Sequence, residues 1–494
     1  MGKSTKMKSQ NQEDSEINSI IKLEIIDANH SEIPIEINQH SQEEIFDKIL
    51  ESVEKVDFRK LADIKDDGKK IEQKHYIVLV TQIVLEKAEI LGYRLAQNNG
   101  VTYIFNGSYW VSIHEAKLEI LLGECAKNMG VELIDSKYFR FRESLLSQFF
   151  SSAYFAKPES SQDKVLINLR NGTFEVSIDK QGLRLFKDKD FLRYQLPFSY
   201  DTKATAPLFK KYLQKVLPEK ELQDILAEYI GYVFIKNLKL EKVLLLYGSG
   251  ANGKSVFFEI INAILGRENV SNFSLTSLNN ETYRSNLEDK LLNYGSEIKG
   301  SLESDIFKQL ASGEPIGAKR LYKDPFTMFD YAKLMFNANE LPKDVEHNEA
   351  YFRRFLIVPF LVTIPQEERD PELPKKIIAN ELSGVFNWVL AGLNRVLEKK
   401  GFTHSTTSQS FLEKYKNESD TVFMFLEEQN YKPCFNGGLK GIAELYGEYK
   451  VYCNTFGYFP NNIKNFGIRL QSNKLHIIVN NRGKFVNVIK TIPS

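Results

Sequence analysis

The stretch that decides the fold of this chain is a glycine-rich octapeptide, Gly248-Ser249-Gly250-Ala251-Asn252-Gly253-Lys254-Ser255, which fills the P-loop pattern G-x-x-x-x-G-K-[ST]. The apolar residues 243–247 before it have the character of a buried strand. Residues 256–265 after it have helical spacing and end at Gly266. Strand, loop and helix therefore follow one another in the order that a phosphate-binding loop requires.

This order predicts a binding site for a nucleoside triphosphate and Mg²⁺. The N–H groups of such a loop and the N-terminus of the following helix converge on phosphate oxygens. Lys254 would reach the terminal phosphates, and the Ser255 hydroxyl would hold the metal ion. Gly2-Lys3-Ser4 repeats the last three letters without a strand or an upstream glycine, so it predicts no site.

The composition bounds the class of protein. The chain has 494 residues, 42% of them hydrophobic, which is enough for roughly three or four domains. Its three cysteines, Cys125, Cys434 and Cys453, form no CxxC pair and favour a reducing compartment. No apolar run approaches the ~18 residues of a membrane span. We therefore expect a soluble cytoplasmic protein with no membrane partner.

The charge is balanced overall but not along the chain. Basic and acidic residues number 65 each, so any contact with nucleic acid must come from local patches. Residues 1–75 carry 17 acids against 12 bases, whereas residues 460–494 carry six bases and no acid. The two ends are therefore expected to have different partners.

Composition and periodicity divide the chain into five predicted parts. The fold class is α/β, with a nucleotide-binding domain at residues 241–401. A partly disordered acidic module (1–75) and a helical or mixed domain (76–240) precede it, and a Thr/Ser-rich linker (402–410) and a C-terminal domain (411–494) follow.

Several individual elements are predicted with enough detail to test. Residues 75–95 and 116–129 have helical character, and residues 101–110 indicate a hairpin around Asn106-Gly107. One helical run is expected over residues 206–235 and one long amphipathic helix over residues 373–400. The C-terminal pattern of three helices followed by a hairpin is the order of a winged helix.

Four further residues in three segments complete a predicted site for hydrolysis. A strand that ends at Glu297 would bring a carboxylate beside Mg²⁺ and the attacking water, which is the Walker B role. Asn339, after another core strand, would orient that water as a sensor. Arg353 and Arg354 stand before an apolar run, and an arginine from a neighbouring subunit would stabilise the transition-state charge.

These motifs in this order resemble superfamily 3 helicases of the AAA+ class. Within that class the chain looks like the phage and plasmid primase-helicase family, which includes poxvirus members. The resemblance covers roughly residues 100–400 and rests on motifs such as Phe336-Asn337-Ala338-Asn339-Glu340-Leu341-Pro342, Arg353-Arg354-Phe355 and, upstream, Tyr103-Ile104-Phe105-Asn106-Gly107-Ser108-Tyr109-Trp110. One departure is Ser296, where relatives often have a second acid, so Glu297 would act largely alone.

The resemblance implies a homo-hexameric ring that uses ATP to move along single-stranded DNA, usually 3′ to 5′, and to unwind forked DNA. It makes Arg354 the preferred arginine finger and leaves Arg353 as a neighbour or structural ion pair. It also implies a DNA-gripping hairpin at residues 316–326, where Lys319, Arg320 and Lys323 are cationic and Lys323 is expected at the tip. A solvated basic hairpin is the alternative interpretation of that segment.

The resemblance also suggests what lies outside the motor. Many relatives carry a primase domain upstream, but the Asp188-Lys189-Asp190 pair here has no following Ser-x-His and is interpreted as a solvated turn. We therefore expect no primase in this chain and a separate primase as partner. The predicted contacts to origin duplex DNA are Arg469, in the third C-terminal helix, and Arg482 and Lys484, in the wing. Subunit packing is the alternative role of that domain.

Together these patterns predict an ATP-dependent replicative helicase of a phage, plasmid or mobile element, acting in the cytoplasm of a bacterial host. A regulatory or defence AAA+ ATPase that remodels a protein partner is the alternative. A DNA-binding scaffold with an inactive motor is a third interpretation, which the intact Lys254, Ser255 and Asn339 oppose.

Overall fold

A computed structural model describes residues 40–491 of the chain, except residues 67, 99, 157–163, 178–179, 296–303, 342–347 and 435–436. The predicted disorder near the N-terminus and the predicted Walker B residue Glu297 therefore lie outside the described residues. The architecture is mixed α/β, with a mostly helical N-terminal region and a five-stranded parallel sheet.

The N-terminal region is a helical cluster with a small antiparallel sheet. Its elements are α1 (Gln42–Ser52), α2 (Phe58–Leu61), α3 (Gln73–Ile90), β1 (Arg94–Asn98), β2 (Val101–Phe105), β3 (Trp110–Ile113), α4 (Glu115–Met129), α5 (Leu133–Lys137) and α6 (Phe139–Ser152). The hairpin prediction is confirmed, with Phe105 paired to Trp110. The helix predicted over residues 75–95 is shorter, because Leu95 lies in β1.

The hydrophobic cores do not follow the predicted boundary at residue 75. Ile45 and Ile49 of α1 lie fully buried in the same core as Val80 of α3 and Leu122 of α4. Helix α1, before the predicted boundary, therefore shares one core with the helices that follow it. The charge balance along the chain does not reveal such packing.

The segment before the parallel sheet is also part of a larger core. It comprises β4 (Lys164–Leu169), β5 (Gly172–Ser177), β6 (Gln181–Arg184), α7 (Pro207–Val216) and α8 (Lys220–Tyr232). The helical run over residues 206–235 is therefore two helices, since Pro218 disfavours helical backbone at Leu217. Ile225 of α8 shares a core with Leu246 of the sheet, so the predicted boundary at residue 240 runs through one hydrophobic core and does not separate two.

The central sheet has five parallel strands, β7 (Val243–Tyr247), β8 (Val270–Ser271), β9 (Leu292–Gly295), β12 (Lys333–Ala338) and β13 (Phe355–Pro359). Their order across the sheet is β13-β7-β12-β9-β8. The helices between them in the chain are α9 (Lys254–Leu265), α10 (Glu281–Ser285), α11 (Ser304–Ser312) and α12 (Glu349–Phe352). Val243 to Leu246 are completely buried, as expected for a parallel strand covered on both faces.

Two helices follow the sheet where one was predicted, α13 (Leu373–Asn380) and α14 (Leu382–Lys399). The break falls at Glu381, whose carboxylate accepts hydrogen bonds from the backbone N–H groups of Leu208 and Phe209, at 3.0 and 2.9 Å. These N–H groups belong to the first turn of α7, which has no helical partner for them. Glu381 thus separates the two helices and caps a third, which periodicity alone does not reveal.

α14 packs closely against α8. A Cβ on Gly392 would lie 2.4 Å from the carbonyl oxygen of Ala227, so only glycine permits this approach. Beside it the fully buried Glu228 accepts a hydrogen bond from Arg395 Nε at 2.9 Å and another from the Thr403 N–H at 2.7 Å. This contact joins the segment before the sheet to the segment after it.

The C-terminal region contains α15 (Thr406–Ser419), α16 (Thr421–Glu428), β14 (Tyr431–Pro433), β15 (Leu439–Gly441), α17 (Ile442–Phe456), α18 (Ile463–Ser472), β16 (Ile477–Asn480) and β17 (Gly483–Lys490). The break predicted at residues 402–410 is shorter in the structure, because Ser405 caps a helix that begins at Thr406. Tyr415 of that helix packs into the core of the parallel sheet. The order of three helices and a hairpin, α16, α17, α18 and β16–β17, is confirmed.

A two-stranded hairpin stands apart from the central sheet. It is formed by β10 (Ile316–Lys319) and β11 (Pro325–Met328), with Lys319 paired to Pro325 at its outer end. No helix in the described part of the chain is long and apolar enough to cross a membrane.

Candidate nucleotide-binding site

The glycine-rich loop, residues 248–255, connects β7 to α9 at the carboxyl edge of the sheet. Gly248 and Gly253 have φ angles of +151° and +91°, a region that favours glycine. A Cβ on Gly248 would lie 2.4 Å from the carbonyl oxygen of Phe360, so the loop must begin with glycine here. The predicted strand, loop and helix are thus present in the expected order.

Lys254 lies within this loop and is only 6% exposed. Its ammonium donates to the carbonyl of Gly248, to the Ser249 carbonyl oxygen at 3.3 Å and to Asn252 Oδ1 at 3.2 Å. Burial lowers the pKa of the Lys254 ammonium. In the described residues no carboxylate forms an ion pair with it, so the loop contains a buried positive charge that lacks an anionic partner.

The loop is held from two sides by residues outside the motif. Asn252 Nδ2 donates to the Phe360 carbonyl oxygen at 3.0 Å, and the Ile364 N–H donates to the Ala251 carbonyl oxygen at 2.8 Å. From the other side the Tyr212 hydroxyl of α7 donates to the Gly253 carbonyl oxygen at 2.8 Å. Sequence patterns did not single out Tyr212 or the segment after β13, because neither belongs to a recognisable motif.

These features fit a nucleotide phosphate. The N-terminus of the 12-residue helix α9 and the buried ammonium of Lys254, which has no carboxylate partner among the described residues, both favour an anion. Ser255 is exposed at the first turn of α9 and is available to a metal ion bound with the phosphates. No group of three or more metal-binding side chains occurs among the residues described.

The predicted sensor Asn339 follows β12 at the same edge as the loop. The Gly248 N–H donates to the carbonyl oxygen of Ala338 at 3.0 Å, which brings the start of the loop beside Asn339. Asn339 itself is exposed. A second amide, Asn337, lies further inside: its Nδ2 donates to the Tyr294 hydroxyl, and its buried Oδ1 has no hydrogen-bond partner in the described residues.

The two arginines have different surroundings. Arg354 is only 6% exposed; its guanidinium donates to Ser312 Oγ at 3.0 Å and lies 3.2 Å from Glu241 Oε2. The Arg353 side chain is 55% exposed and pairs with the same carboxylate at 2.8 Å. Within one chain, Arg354 is therefore engaged by its own neighbours and Arg353 faces solvent, while the choice of Arg354 as the finger stays a prediction. A motif identifies the pair but not which member faces outward.

The arginines and the glycine-rich loop lie at opposite edges of the sheet. β13 runs parallel to β7, with Phe355 opposite Val243 and Pro359 opposite Tyr247. The loop follows Tyr247, whereas Arg353 precedes Phe355. The five residues of β13 span about 16 Å at roughly 3.3 Å per residue. Arg353 therefore cannot reach a nucleotide held by the loop of its own chain.

The hairpin presents its predicted contacts unequally. Tyr322 occupies the turn with a φ of +59° and is 95% exposed, so the tip is formed by Tyr322 together with Lys323. Lys319 and Lys323 are exposed. Arg320 instead pairs with Glu288 and lies over the Phe326 ring at 4.4 Å from its centroid, which anchors the hairpin to the body of the protein.

The C-terminal candidates also differ. Arg482 is exposed in the turn between β16 and β17, where its N–H donates to Asn480 Oδ1 at 2.8 Å, and Lys484 is exposed near the start of β17. Arg469 of α18 is half-buried, and that burial lowers the pKa of its guanidinium. Asp188 and Asp190 pair with Arg94 and Arg184, so the segment interpreted as a solvated turn is held by ion pairs.

Two family models match parts of the chain. Residues 89–218 match a model described as D5 N terminal like. Residues 246–354 match a model described as a family of unknown function, DUF5906. The second range contains the glycine-rich loop, the hairpin, Asn339 and both arginines.

Two curated relatives are viral proteins. The chain is 22% identical over 390 residues to the putative helicase L207/L206 of Acanthamoeba polyphaga mimivirus, covering 67% of this chain and 39% of that protein. It is 22% identical over 342 residues to the putative helicase 121R of Invertebrate iridescent virus 3, covering 60% of this chain and 36% of that protein. The chain thus spans less than two fifths of the length of these relatives.

Among solved structures, the A form apo structure of the NrS-1 C-terminal region matches with a TM-score of 0.48 and 12% identity, covering 86% of this chain and 100% of that chain. Another apo structure of the same region matches with a TM-score of 0.46 and 13% identity, covering 84% of this chain and 99% of that chain. By sequence, this chain is similar to viral proteins described as putative helicases and contains a D5 N terminal like region.

Proposed function

We propose that this chain is an ATP-dependent DNA helicase of the superfamily 3 AAA+ type, encoded by a phage, plasmid or mobile element. The glycine-rich loop would bind the phosphates of ATP through its N–H groups and Lys254. Ser255 and Glu297 would hold Mg²⁺, which supplies positive charge to the phosphate oxygens during hydrolysis. Asn339 would orient the attacking water.

The observation that supports an oligomer most directly is the separation of Arg353 from the loop across the sheet. In motors of this kind, an arginine stabilises the negative charge that develops on the phosphates in the transition state of hydrolysis. Because Arg353 cannot reach its own loop, we assign it to the nucleotide of the neighbouring copy. A head-to-tail contact of this type closes into a ring, and the resemblance to superfamily 3 favours a homo-hexamer.

The DNA contacts follow from the exposed cations. Lys319 and Lys323 would bind the backbone of single-stranded DNA in the ring, with Tyr322 against its bases. Arg320 would fix the hairpin rather than contact DNA, since Glu288 already engages it. Movement is proposed to run 3′ to 5′, with priming by a separate protein.

The C-terminal region is proposed to fold as a winged helix that binds origin duplex DNA. Arg482 and Lys484 of the exposed β16–β17 hairpin would contact phosphates, and α18 would enter the major groove. The half-buried Arg469 would contribute less than the sequence pattern predicts.

The test of this function is substitution of the loop lysine. Lys254→Ala is expected to lower ATP hydrolysis at least about 100-fold and to abolish strand separation of a fork, because the main phosphate-binding charge is removed. Glu259→Gln, on the exposed face of the same helix α9, is the matched control and should retain both activities. Unwinding by the Lys254→Ala protein would contradict the proposal.

A companion measurement separates the helicase from a regulatory ATPase. Single-stranded DNA is expected to stimulate hydrolysis, and the stimulation should weaken steeply as salt rises, because phosphate contacts release counterions. Vigorous hydrolysis that is indifferent to DNA would favour a motor that acts on a protein partner.

A further inference from the structure

A cleft opens at the root of the hairpin, on the sheet edge that carries Arg353. Gly313 lies before β10, Phe329 lies after β11 and Lys333 begins β12; all three line it. An adjoining cleft shares Lys239 and Phe329 and includes Pro315. We call this combined space, which opens to solvent, the root cleft. None of the roles proposed above involves the root cleft.

The root cleft is cationic. Its lining contains five basic side chains and two acidic ones, Arg193, Lys236, Lys239, Lys290 and Lys333 against Asp289 and Asp330. Arg193 pairs with Asp289, and Lys236 Nζ lies 4.0 Å from Asp330 Oδ2. Both acids therefore already have a basic partner, and the excess positive charge remains.

Lys239 and Lys333 carry much of this excess. Neither has a carboxylate within ion-pair distance in the part of the chain that the structure describes. Lys333 is largely buried, with its Nζ 3.2 Å from the Tyr232 hydroxyl and 4.3 Å from the centroid of that ring. Burial and the like charge of Lys239 lower the pKa of the Lys333 ammonium to about 8. An anion bound between the two ammonium groups would offset both the burial of the Lys333 charge and the repulsion between the two lysines.

An aromatic ring lies in the same cleft. Phe329 is 68% exposed, although it directly follows a strand that is anchored to the body of the protein. Cations beside an exposed ring are the combination that binds a nucleic acid strand, because phosphates contact the cations and a base stacks on the ring. The cleft adjoins the hairpin through Pro315 and Phe329, so one strand could contact both.

We propose that the root cleft binds single-stranded DNA, with Lys239 and Lys333 contacting a phosphate group and Phe329 stacking on a neighbouring base. This site rests on the proposed function, since it extends the path of the strand from Lys323 at the tip of the hairpin to its root. The strand is thereby held at two points on each subunit, one exposed and one recessed.

The experiment measures binding of a fluorescent oligothymidylate to the full chain at several salt concentrations. Lys239→Ala, Lys333→Met and Phe329→Ala are each expected to weaken binding about fivefold or more. The two lysine variants should also lower the slope of log affinity against log salt by about 0.7, the value for one phosphate contact, whereas Phe329→Ala should leave the slope unchanged. Lys60→Ala, exposed on α2, is the control and should bind as wild type.

Thermal unfolding of each variant identifies a folding defect, and the exposed position of Lys239 keeps the test interpretable if Lys333→Met fails to fold. Wild-type affinity in Lys239→Ala and Phe329→Ala would overturn the proposal. The proposal would also be overturned if these variants kept their DNA affinity and had a raised KM for ATP, because the cleft would then bind a nucleotide phosphate.

The same measurements distinguish this inference from the proposed function. Reduced affinity in Lys323→Ala with unchanged affinity in the cleft variants would overturn the root cleft and leave the helicase intact. Weaker binding by the cleft variants of a protein that hydrolyses no ATP would support the cleft and contradict the helicase.

Discussion

The two edges of the parallel sheet differ in how their chemistry is held. At the carboxyl edge, the glycine-rich loop is fixed by backbone hydrogen bonds, and its single charge, Lys254, is buried. At the opposite edge, Arg353 is more than half exposed and shares the carboxylate of Glu241 with Arg354. One edge holds a buried cation inside the chain, and the other holds an exposed cation at the surface. This difference supports the proposal that a complete site needs two copies.

The largest expected effect is at the exposed arginine. Arg353→Ala should lower kcat for ATP hydrolysis by about a thousandfold or more while leaving the folding of the chain unchanged, since arginine fingers contribute on that scale. Steady-state ATPase assays measure the effect, and Arg140→Ala, exposed on α6, is a suitable control. An Arg353→Ala protein with normal kcat would contradict the assignment.

The buried arginine should respond in stability. Arg354→Ala removes the bonds to Ser312 and to the Ala350 carbonyl and leaves a cavity, so unfolding should become easier by about 2–4 kcal/mol. Chemical denaturation monitored by circular dichroism reports this change. If Arg354→Ala kept full stability and lost hydrolysis, the roles assigned to the two arginines would be reversed.

The hairpin gives a smaller and more selective effect. Lys323→Ala should keep ATP hydrolysis within about threefold of wild type but reduce unwinding about tenfold, because a phosphate contact is lost while the nucleotide site is untouched. Fork unwinding and ATPase are measured on the same preparation. Equal loss of both activities would indicate a hairpin that only supports the fold.

The smallest expected effect is a pH dependence of the root cleft. Because the Lys333 pKa is about 8, its ammonium is charged below that pH and loses its charge above it. The fivefold difference expected between wild type and Lys333→Met at pH 7 should therefore shrink as the pH rises through about 8 to 9. Lys239, Asp330 and the Tyr232 hydroxyl face this group and set its charge.

Phe329→Ala changes no titrating group and provides the reference for that titration. Its loss of affinity should stay constant over the same pH range, measured at fixed ionic strength. If the loss of DNA affinity in Lys333→Met is equally constant over this pH range, the lysine contributes to binding independently of its charge.

Motifs with a strict local geometry were predictable from sequence. The glycine-rich loop requires strand, loop and helix in a fixed order, and the structure has them at residues 243–265. Asn339 was assignable because it follows an apolar strand. The C-terminal order of helices and hairpin was also predictable, since each element has its own periodicity and turn residues.

Features that depend on distant contacts were not predictable. The break at Glu381 exists to cap α7, more than 160 residues earlier in the chain. Tyr212 supports the loop through a single hydrogen bond, and Asn337 is an amide inside an apolar strand that gives no motif. The burial of Arg354 depends on Ser312 and Glu241, so alignment with a motif could not decide between two adjacent arginines.

The central claim, a nucleotide site shared between copies, is tested most directly by mixing two inactive variants. Lys254→Ala and Arg353→Ala chains carrying different tags are co-expressed, and assemblies that contain both are purified through both tags. In a random equal mixture about one interface in four joins an intact loop to an intact arginine, because each is present in half of the chains. The account predicts recovery of about a quarter of wild-type ATP hydrolysis. Mixed assemblies no more active than either parent would contradict it.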